Sequence, residues 1–449
     1  MHLRPTPKGV RLAAAATTAA LAAAVLSAAP AAADGDELAQ VRAALETPPN
    51  YDDEAGGNAN ADDPAIWSHP SDRAGDLVVA TLKEGGLVVY DAAGRETQRI
   101  AAPTPPRPGD EPGRFNNVDL IYGFQLGGRK VDLAVVSDRG RDTVRTYAID
   151  PRAAVRHQAP LTDVTDPSAP FVFSTSLDEV NDQATAYGLA SWSDSRGGGY
   201  VALSRRHTSR LGLVRLQVTA AGKISYRHVR DLDLPTSFPV PGGTWTPCED
   251  PGEGPQVEGM VADPENDALY AAQEDVGIWR IPMDGGGPQL IDKVKEFGVP
   301  ATYNPETEEC DPSGPDPGVG GTHLTADAEG LSLYQQDDGE GYLIASSQGD
   351  NTFVVYDRED PDDYIGRFRV APGTTVDGSE VCDGAMVTSA PIGGFRNGLL
   401  VVHDGVNTPD AVDGNGEVRE NTNFKFVDWK DVAEPLDLDI TPGDWDPRD

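Results

Sequence analysis

Basic residues are scarce. The chain has 36 Lys and Arg against 73 Asp and Glu, and its formal net charge at pH 7 is −37. That balance repels nucleic acid and anionic membrane, so neither is an expected partner. It also excludes a simple basic pocket for an anionic substrate, which would need a bound divalent cation as counter-charge. Long apolar runs are missing beyond the N-terminus, so a soluble mature protein without a membrane span is expected. Helical periodicity is scarce too, with one good candidate in the mature chain, from Glu37 to Leu45. Neither a Gly-x-Ser-x-Gly elbow nor a Gly-x-x-x-x-Gly-Lys-Ser/Thr loop occurs, which removes support for a serine hydrolase or a P-loop enzyme.

What is present is a globular composition, 38% hydrophobic and 24% charged, rich in Gly (49) and Pro (37). Such a chain favours short strands and many turns. Its 449 residues suffice for one large domain or two ordinary ones. Residues 1–33 carry Arg4, Lys8 and Arg11, an Ala/Leu/Val run from Leu12 to Leu26, and Ala31 to Ala33 before Asp34. This pattern predicts a secretory signal peptide and an extracellular protein. A leader over 34–50 and one domain over 51–449 follow. Export permits disulfides. Cys248 and Cys310 both lie in Pro/Gly/acid-rich segments, so a bridge between them is expected, leaving Cys382 unbridged.

The rest of the sequence repeats. A two-strand unit begins at Asp76, Val131, Gly199, Ala268, Gly341 and Gly398, the last with its return strand in NFKFVDW. Each copy is preceded by a polar residue leading into another apolar strand: DDPAIW, NNVDLIYGF, TAYGLASW, VEGMVAD, AEGLSLY and CDGAMVT. Three of these share an acid-Gly-apolar core, at Glu258, Glu329 and Asp383. Two elements recurring six times in one order predict an all-β fold, a six-bladed β-propeller, and disfavour a β-sandwich array.

In a propeller the first strand of each blade lines the central channel. The expected ring therefore holds Asp63, Asp119, Tyr187, Glu258, Glu329 and Asp383, with Asp62, Asp327 and Asp377 nearby. The inter-strand connections offer Lys83, Arg139, Arg205, Arg206, Glu274, Gln348 and Asp404. So many carboxylates cannot all stay ionised at close quarters without a counter-charge. Hard oxygen donors suit Ca²⁺, and the lack of recurring His or Cys argues against zinc or copper. Several Ca²⁺ ions would turn an acidic mouth electropositive.

These segments resemble the β-propeller phytases, which are secreted calcium-dependent phosphatases. The likeness lies in DDPAIW, the Lys-x-x-Gly-Leu-x-Val-Tyr around Lys83, NNVD, EGM, EGLSLY, ASSQGDNTFVVYDR, HDGVN and NTNFKFVDW, from about Asp62 to Trp429. The resemblance implies hydrolysis of phosphate from myo-inositol hexakisphosphate, taken as a calcium complex, by direct attack of a calcium-bound water in a monomeric enzyme. It implies metal ligands at Asp62, Asp63, Tyr187, Glu258, Glu274, Asp327, Glu329, Asp377 and Asp383, with Gln348 and Asp404 as outer members. Lys83 and Arg139 would contact phosphate, joined by Arg205 or Arg206. Lys83, Arg139, Tyr187, Glu258 and Glu274 would carry the chemistry. Two departures stand out: Lys83 is followed by Glu84 where members of Bacillus type have a second lysine, and Val406 stands where an acidic residue is common. The alternatives are a calcium-dependent propeller hydrolase of a lactone or phosphotriester, and a non-catalytic calcium-binding propeller.

Overall fold

The computed structural model describes residues 38–51, 60–194, 196–307, 309–440 and 445–448. The expected export segment lies outside them. The six predicted repeats form six antiparallel sheets whose first strands neighbour one another in cyclic order, closing a six-bladed β-propeller. Those inner strands are Pro64–Trp67, Phe115–Leu126, Ala186–Ser193, Val257–Asp263, Ala328–Gln335 and Ala385–Thr388. Blade one continues through Leu77–Thr81, Leu87–Asp91 and Glu96–Ile100, and blades two to five repeat this order.

The second and third strands are apolar on both faces because each blade is covered on both sides. Leu77–Thr81, Leu87–Asp91 and Gly341–Ser347 are buried along their whole length. The core is accordingly a set of seams between blade faces. Ile66, Val78, Val88 and Tyr90 of blade one pack on Leu399, Val401, Phe424 and Phe426 of blade six, while Ala65, Val79 and Val89 pack on Val118, Ala134 and Val136 of blade two.

The predicted helix over 37–45 does not form in the described part of that span. Residues Ala39–Val41 instead add a parallel strand to the edge of blade five, pairing with Phe368 to Val370. Leu45–Glu46 and Asn50–Tyr51 pair with Asn421–Asp428 of blade six. A helix of about nine residues is marginal in water, whereas two open sheet edges supply partners for every backbone group they meet. The stretch expected as a leader thus contributes outer strands to the propeller and closes its last blade.

Cys248 and Cys310 are bridged, with Cα atoms 6.0 Å apart and a sequence separation of 62, and Cys382 is unbridged and buried. The bridge ties the segment before blade four to the short hairpin Ala301–Asn304 and Glu309–Pro312 that follows it. Replacing both cysteines with serine is expected to lower stability by about 2–4 kcal/mol, the typical range for a disulfide, of which the loop-entropy scale for this span marks the upper end. Denaturant unfolding of the variant against wild type measures it, and an unchanged midpoint would contradict the assignment.

Candidate active site

The register of the inner strands defines the ring. Pro64, Val118, Leu189, Met260, Leu331 and Ala385 occupy equivalent places, opposite Ala80, Val136, Leu203, Ala271, Ala345 and Val402. Two residues before each stand Asp62, Asn116, Tyr187, Glu258, Glu329 and Asp383. In blades two to five this place falls in a register shift where the inner strand carries one extra residue. Such a bulge re-aims a side chain out of the regular alternation, here toward Glu258, which Asn116, Tyr187 and Glu329 all approach.

The sequence-based ring therefore needs two corrections. Asp62, not Asp63, is the member from blade one, and Asn116, not Asp119, the member from blade two. Asp63 and Asp119 serve the seams between blades: Asp63 Oδ2 accepts from the Val118 amide at 2.9 Å and Asp119 Oδ2 from the Ser191 amide at 2.6 Å. The bulges also explain the acid-Gly pairing. A Cβ on Gly259 would lie 2.1 Å from the Glu329 carbonyl oxygen, and one on Gly188 2.0 Å from that of Glu258. Only glycine lets neighbouring inner strands approach this closely.

Glu258 is the hub. Its Oε1 accepts from Asn116 Nδ2 at 2.6 Å and its Oε2 from the Tyr187 hydroxyl. Oxygens of Glu258, Glu274 and Glu329 lie within 4.8 Å of one another. Lys83 Nζ sits 3.8 Å from Asp62 and 3.6 Å from Asp383, and Gln348 Nε2 donates to Asp383 Oδ1 at 2.6 Å. Arg139 Nη1 donates to Asn116 Oδ1 at 3.2 Å, with its guanidinium 5.5 Å from the Tyr187 ring centre.

Burial and mutual repulsion act together on these acids. Desolvation, followed by the charges of Glu258, Glu274, Asp383 and Asp327, holds the Glu329 carboxyl far above its ordinary range. Desolvation, then Asp327 and Glu258, does the same to Glu274, and Asp62 is raised by burial despite Lys83. Asp327 is pushed up to about 6 by burial and then by Glu258 and Asp383. Burial alone would lower the Lys83 ammonium, but Asp62, Asp383 and Glu258 lift it to about 12. Among the described residues, neither oxygen of Asp62, which is 1% exposed, accepts a hydrogen bond, nor does Glu274 Oε1 or Glu329 Oε2. Buried carboxylate oxygens without donors are costly unless a cation meets them. All the donors are hard oxygens, so the residues fit Ca²⁺.

Of the basic candidates, Arg206 adjoins Arg139: its guanidinium is lowered by burial and then by Arg139. Arg205 turns away and donates to the Ala184 carbonyl at 2.8 Å. Glu84, in the place of a second lysine, pairs with Arg114. Asp377 and Asp404 are grouped around Lys425 instead of with the ring. Sequence reasoning missed Asn116, Glu249 and Asp275. Glu249 is pushed up to about 7 by burial and then by Asp327, and Asp275 is raised by burial, Asp327 and Glu249. Asp275 adjoins Glu274 and Glu249 adjoins the bridged Cys248, so both were within reach of a reading that followed the connections. A cavity of about 1530 Å³ runs along the channel past the ring, reaching Asp63 and Asn117 at one end and Trp192, Gln335 and Arg448 further on. Its lining includes Asp63 and Asp119 but none of Asp62, Glu258, Glu329 or Asp383.

Fold and site together define a propeller with a cluster of buried carboxylates that could hold a metal ion, set beside Lys83, Arg139 and Arg206. The chain belongs to the phytase family: the family profile, described as Phytase, matches residues 8–240 and 253–449. It is 32% identical over 403 residues to the 3-phytase of Bacillus subtilis (strain 168), covering 88% of this chain and 85% of that one. It is therefore a phosphatase that acts on phytate, and the family is metal-dependent. Two solved chains, described as "Crystal Structure of Mitotic Checkpoint Complex" and "Structure of Dos1 propeller", are 11% and 10% identical. They cover 92% and 82% of this chain, and 99% and 68% of their own, with TM-scores of 0.37 and 0.34. At those scores neither informs the site. Among the described residues no helix is long and apolar enough to cross a membrane.

Proposed function

We propose that the ring mouth is a calcium-dependent phosphomonoesterase site of a secreted enzyme that removes phosphate from myo-inositol hexakisphosphate. The observation that carries this reading is the cluster of buried, donor-less carboxylate oxygens of Asp62, Glu274 and Glu329 beside three cationic side chains. The ligands are Asp62, Glu258, Glu274, Asp327, Glu329 and Asp383, with Tyr187 and Gln348 orienting Glu258 and Asp383. Calcium, when bound, supplies charge neutralisation, polarises phosphoryl oxygens and acidifies water.

The chain's own side chains do the rest. Lys83, Arg139 and Arg206 receive the phosphoryl oxygens and stabilise the charge that grows on them. Both oxygens of Glu258 are engaged by Asn116 and Tyr187, so Glu274 Oε1, buried and without a donor, is the acceptor for the proton of the attacking water. Water adds to phosphorus, the bond to the inositol oxygen breaks, and that oxygen takes a proton from solvent. The remaining phosphates of the substrate orient it against the flanking cations.

Phosphate release from phytate with calcium as the added metal tests the reading, with a lactone and a phosphotriester as competing substrates. Arg139→Ala is expected to lower kcat/KM on phytate about 10- to 100-fold, the cost of a charge-assisted hydrogen bond. Turnover of the lactone or triester without phosphate release from phytate would sink the assignment.

A further inference from the structure

Lys425 is a lysine with 0% exposure, on the strand Asn421–Asp428 of blade six. That strand is flanked by Leu399–Asp404 on one side and the N-terminal Leu45–Glu46 on the other. Its register places Lys425 directly opposite Glu46. The ammonium is surrounded by oxygens. Nζ lies 2.6 Å from Glu46 Oε2, 3.0 Å from Asp404 Oδ2 and 2.7 Å from Asn407 Oδ1, and it contacts Asp377 Oδ1.

The second oxygens of Asp377 and Asp404 are already committed. Asp377 Oδ2 accepts from the Thr408 amide at 2.6 Å and from its hydroxyl at 2.9 Å. Asp404 Oδ1 accepts from the Glu380 amide at 3.0 Å. The Asn407 amide nitrogen donates to Asn421, which fixes its oxygen toward the ammonium. Three carboxylates and one amide oxygen converging on a point is a donor set that suits Ca²⁺, which takes such oxygens at about 2.3–2.6 Å. An ion holding these four oxygens would have to sit where Nζ sits.

The geometry points to Lys425 as a built-in cation: we infer that the Glu46–Asp377–Asp404–Asn407 joint binds no divalent ion, and that the seam between the N-terminal strand and blade six is closed by the lysine, independently of calcium. This disagrees with the metal roles that the family resemblance implies for Asp377 and Asp404. A covalently attached cation cannot dissociate, so this joint stays closed when calcium is withdrawn, while the acidic mouth does not keep its counter-charge.

The test counts bound calcium by equilibrium dialysis and follows thermal unfolding in EGTA and in calcium, so its outcome does not depend on activity against phytate. Wild type and Asp404→Asn are expected to bind the same number of ions. Lys425→Met leaves buried acids without a cation, and should melt at least about 5 °C below wild type in EGTA. It should also bind one more ion than wild type and recover part of the loss with calcium. Loss of one ion in Asp404→Asn would overturn the inference, as would a Lys425→Met protein that melts like wild type in EGTA. If Lys425→Met does not fold, the ion count of Asp404→Asn decides the matter alone.

Discussion

Glu258→Gln is expected to lower kcat on phytate by about 10²- to 10³-fold at saturating calcium, and to raise the melting temperature measured in EGTA. The substitution keeps the volume and most of the hydrogen-bonding pattern. A glutamine oxygen can accept from Asn116 or from the Tyr187 hydroxyl, whose bonds Glu258 now receives. What it removes is one negative charge from the centre of the ring. That charge raises the carboxyls of Glu274, Glu329, Asp327 and Asp62 and contributes to the elevation of Lys83. Without metal the charge is a burden on the fold, so its loss stabilises. With metal it is a ligand, so its loss weakens ion binding and with it transition-state stabilisation. A residue with a merely structural role would lower the melting temperature in both conditions. A rate within threefold of wild type at saturating calcium would remove Glu258 from the site.

Much of this site was legible because the propeller repeats its instructions. Glu258-Gly259-Met260 and Glu329-Gly330-Leu331 announce both a channel-facing acid and the glycine that lets the next blade approach. The connections gave Lys83, Arg139 and Glu274 for the same reason. The errors arose where the repeat is degenerate. Asp62 and Asp63 are both acidic, and Asn116, Asn117 and Asp119 are all polar, so composition does not say which one faces the mouth. The register does, since each ring member stands two residues before the apolar residue paired with the second strand. The N-terminal strands were illegible for another reason. A short stretch such as Ala39–Val41 has no strong preference of its own, and its conformation is set by the edge of blade five, hundreds of residues away. Lys425 was hidden within an alternating strand, where lysine usually faces solvent. Only the convergence of Glu46, Asp377 and Asp404 from three separate segments shows that it faces inward.

Chelation should abolish hydrolysis of phytate and, more tellingly, change how stability depends on pH. In the metal-free protein, Asp62, Glu258, Glu274, Asp275, Asp327 and Glu329 all have carboxyls raised above the unfolded values of 3.8 for Asp and 4.5 for Glu. Asp327 reaches about 6 and Glu249 about 7. The folded state therefore binds more protons than the unfolded state between about pH 4 and 7, and stability falls as pH rises through that window. The penalty is complete above the folded values and absent below the unfolded ones. In EGTA the melting temperature should accordingly climb as pH is lowered from about 8 to 5. It should then drop in stronger acid, as carboxyls held low by partners, such as Asp377 with Lys425 and Asp350 with Thr352 and Lys295, become protonated. Calcium competes with those protons for the same oxygens, so the increment it adds should be largest near pH 8 and shrink toward pH 5. Asp138, raised to about 7 by burial, and Asp76, raised to about 6, carry the same sign. Both accept hydrogen bonds from backbone amides within the blade structure. They enter the curves with and without calcium alike, so the difference between the two isolates the mouth. Calorimetric scans across this range, with calcium and with EGTA, decide it. Parallel curves, or a metal-free protein that gains stability between pH 5 and 8, would show that the ring acids are not where the ion binds.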